Sequence, residues 1–476
     1  MIRIGFIIVM HAEMRNSIIV AALLALLCSC SNTALVAPGI YPEYQDVTIP
    51  CNIAPLNFRY EGASRPVTTF TYDGKVIRKR GKKVCWDLDQ WREMLSEAAG
   101  RDIVVESSVL PGWVWHVSGE PIDSYLSYRL IEPGFEVWNE VEIEERCLED
   151  FSTRTLSSYR NTANKCMNCH IHSHSRGDLS MLYVRGTGGG AILNRDGALR
   201  KLDLRDSLMI SSTVYGEIHP SGRWGVFSTN VIIPGFHTAG SARMEIFDTA
   251  SDLVVADFDS CRMITTPAFA RGDTFETFPA FSADGSEVFY CSADTVSLPG
   301  NVKNLRYALL RTPFRDGMLG PQVDTVRSLS SGGSVCHPKA SPDGRWLMYT
   351  VADYGTFPIW HQECHLELMD LTTGEIVPTD GLHADRSDTY HSWSSGGRWF
   401  VFASKRGDGQ YGKPYFCHID ADGNISKPFV LPQKDPSFYD FTHLSFNIPD
   451  LSSSPVPFDS DDVARLLDTR KSESFE

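Results

Sequence analysis

The stretch KASPDGRWLMYTV (339–351) places a polar turn built on Ser, Asp and Gly in front of an unbroken apolar strand. Three other stretches repeat the phrase: IHPSGRWGVFST (218–229), AFSADGSEVFYCS (280–292) and SWSSGGRWFVFAS (392–404). Their marker glycines, Gly222, Gly285, Gly344 and Gly397, lie 63, 59 and 53 residues apart. Repeats at such spacing mean stacked supersecondary units.

Each phrase is followed by a second hairpin, for example CHLELMDLTTGEIVPT after the one at 339. Four strands per unit, with a tight turn inside each hairpin, describe a blade of a β-propeller. A fifth unit starts upstream, with RGD around Gly177 in the turn position and SMLYVRG as its second strand. FTHLSFNIP (441–449) resembles an innermost strand with no blade of its own, which fits a ring closed by a blade begun elsewhere. The expectation is an all-β chain with a propeller of five or six blades over 177–449. Trp224, Trp346 and Trp399, at one repeat position, read as packing residues.

Residues 48–150 lack the phrase. Short strand-like runs surround one amphipathic stretch, DLDQWREMLSEAA (87–99), and predict a small β-sandwich-like domain with one helix. A connector (151–180) leads to the propeller, and the polar tail (455–476) is expected to fray apart from a short helix.

From Met14 the chain reads MRNSIIVAALLALLCSCSN. It carries a basic start at Arg15, an apolar run too short to span a bilayer, and small residues after it. Residues 1–30 therefore read as a signal peptide, with LCSC (27–30) as a lipobox and Cys30 as the lipidated residue. The implied location is the outer membrane or another periplasm-facing membrane. The formal charge of -15 disfavours nucleic acid as a partner. Eight of the twelve cysteines fall singly along the chain, and no disulfide framework is expected.

The chemistry concentrates in KCMNCHIHSHSRGD (165–178). C-x-x-C-H is the signature of c-type haem attachment: on a helical turn Cys166, Cys169 and His170 share one face, so two thioethers form while the imidazole reaches iron. Composition alone would produce the string roughly 0.009 times in the chain. Met181 is the candidate sixth ligand. If the segment is extended instead, His170, His172 and His174 project from one face and suit zinc or another borderline metal. A polar loop with no ligand is the third reading. His337, His391 and His443 start innermost strands and are expected at the channel, where a metal hydrolase using His337 and His391 is the last alternative. No nucleophile elbow occurs, so a self-contained enzyme is not expected.

The phrase SPDGRW and its variants resemble the repeat of TolB-type propellers. YRLIEPGFEVWN (128–139), CMNCH (166–170) and the long segment from Asp388 to Tyr439 resemble a group of exported Bacteroidetes lipoproteins. The resemblance implies a lipid-anchored, periplasm-facing propeller with a haem-attachment-like motif. With the motif itself, the expectation is a binding module that carries one covalently attached haem for redox or haem-dependent binding. Its alternative is a haem-free scaffold for a periplasmic protein or an envelope glycan.

Overall fold

Ser341 and Asp343 explain why the repeated phrase turns the chain. Trp346 N donates to Ser341 Oγ at 2.9 Å and Arg345 N to Asp343 Oδ1 at 3.1 Å, while Gly344 takes φ +72°. Ser282, Asp284 and Gly285 (φ +74°) build the same turn one repeat earlier. Side chains that satisfy the turn's own amides, followed by a residue free to adopt positive φ, make a tight hairpin. At 394–397 the Asp position holds Gly396, and Asp123 supplies a carboxylate from outside the repeat, accepting from Ser395 N at 2.7 Å.

The computed structural model describes residues 39–476 except 63–64, 133–139, 237–243 and 470. The expected signal peptide and Cys30 lie outside the described residues. Within them the chain forms six blades arranged as a ring, four of them four-stranded and two five-stranded.

Blade 2 begins with the inner strand Met167–Ser173 and blade 3 with Thr213–Ile218. Blades 4, 5 and 6 begin with Thr274–Phe281, Ser334–Ala340 and Asp388–Trp393. Blade 1 is composite. Its three outer strands, Tyr125–Ile131, Val141–Cys147 and Thr153–Ser158, are joined by Ser445–Ser452 as the inner one. Each inner strand packs beside the next around the ring, from Met167–Ser173 through to Ser445–Ser452 and back. The second strands of blades 5 and 6, Trp346–Ala352 and Trp399–Ser404, are buried at every position because both faces are covered, by flanking blades and, on blade 6, by the small domain as well. That is why the phrase ends in an unbroken apolar run rather than an alternating one.

The pairing divides the chain differently from the sequence expectation. Residues 125–158, assigned there to the small domain and connector, belong to blade 1. In blade 2 the turn falls on His174 (φ +49°) and Ser175 (φ +59°) rather than on Gly177. Gly177 instead faces the Ser454 backbone so closely that a Cβ would lie 2.1 Å from its carbonyl oxygen. The tail is docked: helix Ser460–Asp468 packs on blade 1, Glu473–Ser474 pairs parallel to the outer strand of blade 2, and Phe475 is buried.

The small domain covers 39–118. A five-stranded sheet (Val47–Pro50, Trp113–Ser118, Arg101–Ser107, Val67–Tyr72, Lys75–Arg80, in spatial order) packs with a three-stranded sheet and the helix Leu88–Ala98, which Asp87 caps. Its core of Phe58, Phe70, Trp91 and Trp115 continues into Trp399, Phe416 and Phe429 of blade 6, and Trp399 Nε1 donates to Glu120 O at 2.9 Å. Cys291, Cys336, Cys364 and Cys417 are buried as small apolar groups.

Candidate ligand-binding site at the channel mouth

All six inner strands lose register with their neighbour midway along. The interruptions fall at Cys169, at Val214 and Tyr215, at Phe278 and Pro279, at His337 and Pro338, at Tyr390, and at Ile448 and Pro449. Phe278, His337, Tyr390 and Ile448 sit there at φ between +48° and +53°. For bulky or β-branched residues this backbone is strained, and bulges of this kind re-aim side chains at sheet rims and beside active sites. Here they turn successive side chains toward one end of the central channel.

The result is a cavity of about 1040 Å³. Its wall includes Tyr215, Phe278, Phe357, His337 and Tyr390, whose rings form a chain. Centroids are 6.2 Å apart from Phe357 to Tyr215, 4.4 Å from Tyr215 to Phe278, 4.2 Å from Phe278 to His337 and 4.9 Å from His337 to Tyr390. Edge-to-face and tilted contacts at these distances hold each ring against the next.

Lys339, Glu217 and His170 bring titratable groups to the same cavity, and Lys339 is tied to the buried Asp450. Lys339 Nζ is 3.7 Å from Asp450 Oδ1, and His172 N donates to Asp450 Oδ2 at 2.9 Å. Burial opposes ionisation of Asp450, but Lys339, His172 and His170 outweigh it and hold the carboxyl below its usual range. Glu217, accepting from Phe281 N, is pushed up by burial. Burial lowers His170 to about 4, and His337 and His391 to about 3, so all three imidazoles are neutral. His391 Nε2 lies 3.0 Å from Met348 O and so carries the proton in that bond, since a carbonyl only accepts.

One side of the mouth is walled by an arm. In blade 3 the strands Trp224–Phe236 and Met244–Asp257 stay paired well past the blade body. Glu245 on this arm meets blade 5, 2.8 Å from the Tyr354 hydroxyl and 3.4 Å from His361 Nε2. Glu363 lies 3.0 Å from His361 Nδ1. Burial disfavours charge on His361, but Glu245 and Glu363 outweigh it and raise its pKa to about 9.

The sequence-derived candidates divide. His170 and His337 line the cavity, and so does His391; His443 is exposed, outside the cavity wall, with its ring 6.0 Å from Tyr411. His170 and His172 are buried on the inner strand of blade 2, whereas His174 leaves the strand in the following turn. The three imidazoles therefore do not share one face, and among the described residues no group of three or more His, Cys, Asp or Glu side chains gathers as a metal site.

Met181 is buried in the core between blades 2 and 3, away from the cavity wall. Cys166 is buried ahead of the strand, its carbonyl accepting from Arg185 N, and is not part of the wall that His170 joins. Residues 167–173 are extended, not a helical turn. This arrangement does not provide the one-turn clamp on which the haem expectation rests.

Sequence reading missed Tyr215, Phe278, Tyr390, Glu245 and His361. A signal was present in TFPAF, VCHPKA and NIPD, because proline within a strand is confined to sheet edges and bulges, and these strands are the inner edges of their blades.

No family model matches the chain and no curated protein matches it. Solved structures similar to it include a hypothetical selenium-binding protein from Sulfolobus tokodaii (9% identity, TM-score 0.42, covering 72% of this chain and 96% of that one). An oligogalacturonate lyase from Vibrio parahaemolyticus is similar at 10% identity and TM-score 0.37, over 65% and 75%. A puromycin-hydrolysing peptidase from Mycobacterium tuberculosis is similar at 14% identity and TM-score 0.31, over 64% of this chain and 39% of the peptidase. At these values none carries an activity to this chain. Its own strand pairing makes it a six-bladed β-propeller.

Proposed function

We propose that this protein is a cell-envelope binding module that holds a saccharide at the mouth of its propeller channel. The observation that supports it is the arc of rings from Phe357 to Tyr390 along a cavity of about 1040 Å³. Flat aromatic faces stack on the C–H faces of sugar rings. The polar side chains around them, among them Gln410 and Asn447, suit hydroxyl groups. The envelope location rests on the export segment and lipobox read in the sequence.

The test is an array of bacterial-envelope and plant oligosaccharides probed with the purified chain, followed by titration calorimetry on the best binder. Phe278→Ala is expected to lower its affinity at least tenfold. No binding to any saccharide on the array would sink the reading. The same preparation, expressed with c-type maturation, is expected to be colourless, and a retained haem chromophore would replace this reading with the haem-dependent one.

A further inference from the structure

The chain carries a formal charge of -15, yet residues 75–83, KVIRKRGKK, hold six cations and no acid. Strand Lys75–Arg80 is the edge of the five-stranded sheet. Three of the cations are held by the protein. Lys75 pairs with Glu97 and Lys83 with Asp435, while Lys79 reaches Gln90 and lies over the Trp86 ring. Arg78, Arg80 and Lys82 are exposed, and among the described residues they make no ion pair or side-chain hydrogen bond. Val76 and Val104, 54% and 44% exposed, both pair with Thr71 and so stand on the same outer face.

The basic hairpin also sits where the described chain begins. Gly39 pairs with Glu61 and Ile40 with Tyr60, and Tyr60 N donates to Lys82 O at 2.8 Å. The turn between Arg80 and Lys83 is therefore at the same end of the small sheet as Gly39, two strands away. A residue at position 30 is nine residues from Gly39, a reach of about 30 Å at most.

We propose that this hairpin is a docking surface for anionic lipid headgroups, which seats the small domain on the membrane beside the anchored N-terminus. The orientation rests on the lipid-anchor reading; the surface itself does not. Cations near an anionic bilayer each add roughly fivefold to binding, and salt screens the effect. Edge strands also carry Lys and Arg merely to discourage pairing with other sheets, which requires no lipid.

The experiment separates these. The mature chain from residue 31, which has no acyl group, is sedimented with vesicles of phosphatidylcholine alone or mixed equally with phosphatidylglycerol. Binding to the anionic vesicles only, weakening with added salt, is expected. The variant R78Q/R80Q/K82Q should lose it by on the order of 100-fold at an unchanged melting temperature. Substituting exposed propeller cations instead, as in R262Q/K303Q/R315Q, should change little. Equal binding to both vesicles, no binding to either, or a triple variant that binds like the parent would overturn the proposal. An unmodified Cys30 in protein from a lipoprotein-processing host would overturn the anchor reading alone.

Discussion

At the residue scale, Asp248 shows what the polar interior demands. It is fully buried, and burial, outweighing the Asn230 side chain that favours the ionised form, raises its pKa from 3.8 to about 7. An acid whose pKa is higher folded than unfolded gives up stability as pH climbs from 3.8 through 7, because only the unfolded chain ionises freely. Asp248→Asn should thus unfold at higher urea than the parent at pH 8 and show little difference at pH 4; equal midpoints at both values would contradict the assignment. Single residues were unevenly legible. Gly222, Gly285, Gly344 and Gly397 all adopt positive φ as the phrase implies, since that requirement is local. Gly177 and His443 were misplaced because a backbone contact with Ser454 and the path after helix Phe438–Phe441 decide them, and both are long-range.

At the scale of elements, the repeat revealed the blades that carry the phrase and hid the one that does not. The outer strands of blade 1 lack the Ser-Asp-Gly turn, so their apolar pattern, YLSYRLI and VEIEERC, read as part of the small domain. The closing strand was visible by likeness to other inner strands. The cavity was not, because bulges move side chains by breaking register, which no periodicity announces. The arm makes a prediction at this scale. His361 faces Glu245, Glu363 and the Tyr354 ring, with Asp353 N on Glu363 and Arg306 over Tyr354. A histidine raised to about 9 contributes fully below pH 6.5 and loses its contribution as pH rises through 9. Hydrogen exchange of the arm amides, corrected for intrinsic rate, should accelerate over that window. Glu245→Gln should produce the faster exchange already at pH 7 and abolish the pH step, while exchange in the blade 6 strands stays unchanged.

For the whole molecule, the aromatic core of the small domain runs without interruption into blade 6, so the two units share their stability. Trp399 is fully buried at that junction and donates to Glu120. Trp399→Ala should cost about 3–5 kcal/mol, and calorimetry should show one transition for the parent and two for the variant. A single transition in the variant, merely lower, would mean the blades transmit the loss themselves. The composite blade also sets a schedule for biosynthesis. Residues 125–131 wait for 445–452, so the nascent polypeptide has no finished ring until nearly all of it has left the ribosome. Ring closure is thereby among the last contacts the growing chain can make, and a chain that stops short of residue 445 leaves blade 1 without its inner strand.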